Sequence, residues 1–165
     1  MIHRRLLVVH HSPTSSLRAL TDAVVAGASD PALAGIEVVV RPALEARAQD
    51  VLAADGYVLG TSANFGYMSG ALKHFFDSTF LQVGGSLDPS GAAGESASRT
   101  GKRPYGLYVH GRYDLTGATR SVQAIVGALS WRQVAPVLEV LGDLDNASTE
   151  AAYELGATVA ATLLD

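Results

Sequence analysis

Cysteine is absent from the 165 residues, which excludes disulfides, thiolate metal sites, iron–sulfur clusters and cysteine nucleophiles. Charge is sparse as well. Asp, Glu, Lys and Arg make up 17% of the chain and the formal balance is −4, so there is no basic footprint for a nucleic acid or another polyanion. Lysine is nearly missing, with two residues against ten arginines, a matter of codon usage more than of mechanism. The opening MIHRRLLVVHHSP holds an apolar run of only four residues. That is too short for a signal-peptide core or a membrane span, and a soluble, cytoplasmic protein with no membrane partner is expected. Neither GxGxxG nor GxxxxGK[ST] occurs, and Gly101-Lys102 stands in the wrong context for either. Dinucleotide folding and P-loop NTPase chemistry are therefore not expected.

Apolar residues, in contrast, make up 48% of the chain. A chain of this length buries roughly two thirds of its unfolded surface, so one domain over residues 1–165 is expected. Short apolar runs alternate with amphipathic stretches. Leu6–His10, Ile36–Val40, Tyr57–Gly60, Tyr105–His110 and Val134–Leu141 read as strands covered on both faces. Ser15–Ala28, Glu45–Ala54, Ser69 to about Phe80, Gly117–Leu129 and Ser148–Leu163 read as helices, the first with Thr14 and Ser15 as candidate caps. This rhythm predicts an α/β fold of βαβ units around a five-stranded parallel sheet. Residues 84–103, GGSLDPSGAAGESASRTGKR, fall outside it, and read either as an active-site lid or as a plain connection.

The stretch Asp55–Asp77, DGYVLGTSANFGYMSGALKHFFD, carries the most information. It reads as a strand, a small-residue loop with one aromatic, and a helix whose Leu72, Phe75, Phe76 and Phe80 share an apolar face. The loop offers backbone donors and acceptors around Phe65, where glycines let backbone approach a flat ligand. This stretch resembles the loop strand-GTP-x-x-[FW]-G-x-M-S-[GA]-x-L-K of the flavodoxin-like NAD(P)H-dependent FMN and quinone reductases. Here it runs Gly60-Thr61-Ser62-Ala63-Asn64-Phe65-Gly66-Tyr67-Met68-Ser69-Gly70-Ala71-Leu72-Lys73, with Ser62 in place of the usual proline. The resemblance implies a flavodoxin-like three-layer sandwich of strand order 2-1-3-4-5. Ligands then bind at the carboxyl ends of the strands, at the switch point between the first and third.

His11-Ser12-Pro13-Thr14-Ser15-Ser16-Leu17 leads from the first strand into a helix, whose N-terminus offers unpaired N–H groups and a positive dipole end. By the resemblance, Ser12, Thr14, Ser15, Ser16 and the Leu17 amide hold the phosphate of FMN. Ser62, Ala63, Asn64, Phe65 and Gly66 meet its ring, and His110, Gly111, Arg112 and Tyr113 form a further wall. Tyr113 reads either as a ring that stacks on the flavin or as a packing residue. Arg112 reads as a ligand for a substrate or a nicotinamide phosphate, or as the partner of Asp114. Trp131 reads as a core or interface anchor, or as a residue near a neighbouring subunit's flavin. His10, His11 and His110 lie near strand ends without a ligand pair or local carboxylate, so no metal site is expected.

The reaction implied by the resemblance is electron transfer from NADH or NADPH through FMN to a quinone or another small-molecule acceptor, in a homodimer or homotetramer. The cofactor carries the chemistry, so no catalytic side chain is named. The alternative is a flavodoxin-type electron carrier without NAD(P)H chemistry of its own. Carriers of that kind are typically more acidic and place aromatics on both flavin faces. A receiver-type signalling module is excluded by His10-His11 and Thr61-Ser62, which stand where acidic residues would be needed.

Overall fold

The computed structural model describes residues 3–92, 94 and 98–165. Strand β1 (Arg4–His10) enters helix α1 (Ser15–Ala28), strand β2 (Ile36–Pro42) and the short helix α2 (Ala48–Ala53). Strand β3 (Gly56–Asn64) turns into β4 (Tyr67–Met68) and helix α3 (Gly70–Thr79). Then follow β5 (Pro104–Gly111), α4 (Thr116–Ala128), β6 (Arg132–Gln133), β7 (Leu138–Leu141) and α5 (Asn146–Ala161). The sheet runs β2-β1-β3-β5-β6, with β7 also beside β5, and all of these pairings are parallel. With β6 and β7 taken as one edge, this is the expected order 2-1-3-4-5.

Two strands depart from expectation, and each departure follows from how the strands pair. The edge strand expected over Val134–Leu141 is split. Tyr105 pairs Gln133 and Tyr108 pairs Leu138, so three steps along β5 match five along the edge. Pro136 lies in that excess and has no N–H for a ladder, as suits an edge. Strand β3 runs four residues past Gly60, because Thr61 and Ser62 pair with Val109 and His110 on β5, and Ala63 and Asn64 with Met68 and Tyr67 on β4. The stretch Thr61–Asn64, expected as loop, is therefore sheet.

Alternate side chains of the inner strands feed two cores. Leu7, Val9, Tyr57, Leu59, Leu107 and Val109 pack against α2, α3 and α4. Leu6, Val8, Val58 and Tyr108 pack against α1 and α5. Those two helices touch backbone to backbone: a Cβ on Gly27 would overlap the Tyr153 carbonyl, and one on Gly156 the Val24 carbonyl. Trp131 is buried, stacks on Tyr57 at 4.0 Å and 18°, and donates its indole N–H to Thr100 Oγ1 at 2.8 Å. It is a core anchor, which removes the reading of Trp131 as a residue near a neighbour's flavin. Burial also pushes the Tyr57 hydroxyl up to about 12. Thr100 in turn donates to the Val83 carbonyl, so the far end of the 84–103 connection is pinned beneath the sheet. No described helix is long and apolar enough to cross a membrane.

Candidate functional site

Three segments meet beyond the carboxyl ends of β1, β3 and β5. Thr14, Ser15, Ser16, Leu17, Ser62, Ala63, Asn64, His110, Gly111, Arg112 and Tyr113 line one cleft of about 370 Å³. Ala63, Asn64, Phe65, Gly66, Tyr113 and Asp114 line a second of about 350 Å³ that shares its wall. All the expected site residues except Ser12 are thus gathered here. None of the described residues of the 84–103 connection lines either cleft; its residues 93 and 95–97 lie outside the described part, so the lid reading gains no support.

Helix α1 aims its N-terminus into the first cleft. Thr14 is the cap, and its Oγ1 accepts from Leu17 N at 3.2 Å. The Leu17 amide, expected to face a phosphate, is thereby used inside the helix. The Ser15 and Ser16 amides keep no intrahelical partner, as the first turn of any helix requires, and the dipole adds positive potential there. Ser12, expected at the phosphate, also faces elsewhere. Its hydroxyl bonds to His10 Nδ1 and to Thr21 Oγ1, each at 2.8 Å, and it lines a neighbouring cavity instead. The sequence motif hides this because Thr21 lies two turns into α1.

The second wall is a tight hairpin. Ala63 pairs Met68 and Asn64 pairs Tyr67 antiparallel, with Phe65 (φ 51°) and Gly66 (φ 78°) as the two turn residues. Positive φ at both centres is the type I′ geometry that matches strand twist. Glycine takes it freely, whereas a phenylalanine there is strained and needs a reason. Its ring is fully exposed at the mouth of the second cleft. The hairpin base is fixed from inside. Thr61 Oγ1 accepts from Ser69 N at 3.0 Å, and Ser69 Oγ caps α3 by accepting from Leu72 N at 3.1 Å. The tip rests on α4, where Gly117 leaves room for the Gly66 carbonyl.

The floor is polar. Ser62 Oγ is buried and has no hydrogen-bond partner among the described residues. An unpaired buried hydroxyl costs about 1–3 kcal/mol, a reason to look for a ligand. Beside it, His110 is 6% exposed and its Nε2 meets the Gly142 carbonyl at 2.7 Å. A carbonyl only accepts, so Nε2 carries the proton. The third wall holds Arg112, which pairs with Asp143 at 2.7 Å rather than with Asp114. Both side chains are exposed, so the pair contributes less than about 1 kcal/mol. Asp114, one residue ahead of the Leu115 cap position, accepts from Thr116 N at 2.9 Å, and that bond draws its carboxyl below the usual range. Tyr113 is 88% exposed, which excludes the packing role. Among the described residues no group of three His, Cys, Asp or Glu side chains could hold a metal ion.

No protein-family model matches the chain. A curated flavodoxin of Aquifex aeolicus (strain VF5) is 33% identical over 94 residues, 57% of this chain and 50% of that protein. The match thus spans half the length of that relative. The solved structure of a flavodoxin from the domain Archaea superposes with a TM-score of 0.78 at 14% identity, over 98% of this chain and 99% of that one. A flavodoxin, WrbA-like protein from Agrobacterium tumefaciens superposes at 0.70 and 16% identity, over 96% of each chain. The parallel sheet of this order, clothed by helices on both faces and matched along nearly its whole length, is the flavodoxin-like fold.

Proposed function

We propose that the chain binds FMN across the two adjoining clefts and works as an FMN-dependent electron-transfer protein. The orphaned Ser62 hydroxyl carries this reading, because it lies buried on the floor of a cleft whose other walls suit the parts of that cofactor. The free amides of Ser15 and Ser16, with the hydroxyls of Thr14, Ser15 and Ser16, suit a phosphate. The small side chains of Ala63 and Gly111 let backbone meet a flat ring. Phe65 and Tyr113, on opposite loops, supply aromatic faces beside it. Bound FMN supplies the storage and release of electrons, while the chain binds, orients and shields it. Neither loop offers a nucleophile or an acid–base pair, in keeping with chemistry carried by a cofactor.

Of the two finer readings, we infer the electron carrier. Phe65 and Tyr113, two exposed aromatics at the mouth of one cleft, would cover the ring faces that a nicotinamide needs. The curated relative's name, flavodoxin, agrees with this choice. The NAD(P)H–quinone reductase remains as the second reading, favoured by the Gly60–Lys73 motif, and carries with it the expected homodimer or homotetramer. Exposed Phe65 and Tyr67 beside the site would then meet a partner subunit.

An absorption spectrum during titration with FMN tests the first proposal. Saturable binding, tighter than for FAD, is expected, and no spectral change at micromolar protein would remove it. Steady-state oxidation of NADH or NADPH with a quinone then separates the two finer readings. Fast turnover by an oligomer supports the reductase; FMN binding without turnover by a monomer supports the carrier.

A further inference from the structure

Four polar side chains form an unbroken chain through the α1 core: Tyr108, Thr21, Ser12 and His10. Tyr108 OH and Thr21 Oγ1 are 2.6 Å apart, Thr21 Oγ1 and Ser12 Oγ 2.8 Å, and Ser12 Oγ and His10 Nδ1 2.8 Å. Tyr108 is fully buried and Thr21 is 5% exposed. Room for the tyrosine ring comes from Gly60 on the adjacent strand, where any Cβ would overlap it. The other end opens into a cavity of about 390 Å³ lined by His10, Ser12, Arg18, Thr21, Asp22, Val25 and Val40.

Proton counting sets the direction of this chain. Among the described residues, Tyr108 OH has Thr21 as its only partner. If it accepted from Thr21, its own proton would be left unpaired in an apolar core, the costliest arrangement for a hydroxyl. Tyr108 therefore donates to Thr21, Thr21 to Ser12, and Ser12 to His10. Every hydroxyl proton is used, and His10 Nδ1 must be the bare acceptor that ends the series. Hydrogen bonds that point one way also strengthen one another.

We propose, building on the FMN reading, that Tyr108, Thr21 and His10 are positioning residues for the phosphate loop: through this one-way chain they lock Ser12, two residues ahead of the Thr14 cap, and so set the aim of the Ser15 and Ser16 amides. Ser12 then acts by holding the loop and not by touching the phosphate. The environment of His10 agrees. Burial first, and His11 second, hold its imidazole below the usual range, against an opposing pull from Asp22. From α1, Arg18 and Asp22 share its cavity; β2 offers Val40 and the register partner Pro42, and β3 offers Gly60. Only Asp22 among these favours the charged ring.

Protonating His10 would put a proton on Nδ1 and make it a donor to Ser12. The whole chain would have to reverse, leaving the Tyr108 proton orphaned. A simple charge argument gives the opposite sign, since a cation near the phosphate loop should tighten an anion. The two accounts can be told apart.

The closing experiment uses the full chain and reads the ratio of FMN to riboflavin affinity, which isolates the phosphate. Thr21→Val should lower that ratio by about tenfold at pH 7.5 with circular dichroism unchanged, and Thr21→Ser should restore it. His10→Asn, which keeps an acceptor where Nδ1 stood, should keep the ratio, and His10→Leu should lower it. Below pH 6.5 the wild-type ratio should fall more steeply than that of His10→Asn; the phosphate's own protonation near pH ~6 is common to both and cancels. In the ligand-free protein, nitrogen NMR at pH 7.5 should find His10 as the Nε2–H tautomer. An Nδ1–H tautomer, an unchanged ratio in Thr21→Val, or a wild-type ratio that rises in acid relative to His10→Asn would each overturn the proposal. Wild-type protein that binds neither flavin sinks the FMN reading instead, and the tautomer then judges the chain's direction alone.

Discussion

Ser62 and His110 are register partners on β3 and β5, yet one is tied and the other is not. His110 is fixed to the Gly142 carbonyl, while the Ser62 hydroxyl, in the same cleft, has no partner among the described residues. A hydroxyl held that way is a cost to the empty protein and a gain to a complex in which a ligand pairs it. Ser62→Ala should therefore leave the empty protein unchanged or stabilise it by about 1 kcal/mol, while weakening FMN. Thermal melts with and without FMN measure both. Destabilisation of the empty protein would show that the hydroxyl already has a structural partner.

Phe65 sets strain against function in a single residue. The type I′ turn prefers Asn-Gly, and Gly66 already supplies the second half. Phe65→Asn should stabilise the empty protein by about 1 kcal/mol, because the left-handed conformation suits asparagine. The same change removes an aromatic face, so FMN affinity should fall severalfold. Chemical denaturation and a flavin titration on one sample decide it; a loss of stability would mean that the exposed ring packs in solution.

These contrasts show why the sequence revealed some parts and hid others. The alternation of apolar runs was sufficient for the sheet because each inner strand is covered on both faces and carries the pattern at every position. The three loops were legible because glycines and hydroxyls cluster after β1, β3 and β5. Three things were not legible. The extension of β3 to Asn64 depends first on the pairing of Thr61 and Ser62 with β5, a contact between residues about 48 apart in sequence, and then on the hairpin that pairs Ala63 and Asn64 with β4. The split edge strand follows from an offset of two residues that no local pattern encodes. The diversion of Ser12 to Thr21 and Tyr108 needs three elements to meet, and a Ser-Pro-x-Ser motif reads the same with or without it.

Gly117 tests whether the hairpin must sit on α4. It occupies the first turn of the helix, where alanine would ordinarily be an improvement. Here a Cβ would overlap the Gly66 carbonyl oxygen. Gly117→Ala should cost about 1–3 kcal/mol by overpacking. Amide exchange should quicken in Ala63–Met68 while α1 stays protected. Stabilisation by the substitution would mean that the hairpin stands clear of α4.

His10 also makes stability depend on pH in a definite direction. Burial favours its neutral ring, so its value in the folded protein lies below that of the unfolded chain, near 6.5. The unfolded state thus binds the proton more readily in acid. The contribution is fully present above pH 6.5 and is lost as the pH falls through that value toward the lower folded one. His10→Asn cannot take the proton and should show a flatter decline between pH 7 and pH 5 than the wild type. Carboxylates titrate lower and are common to both proteins, so the difference between the two curves belongs to His10. Identical curves from parallel thermal melts would mean that the ring stands in water, and that the Ser12 bond does not persist in solution.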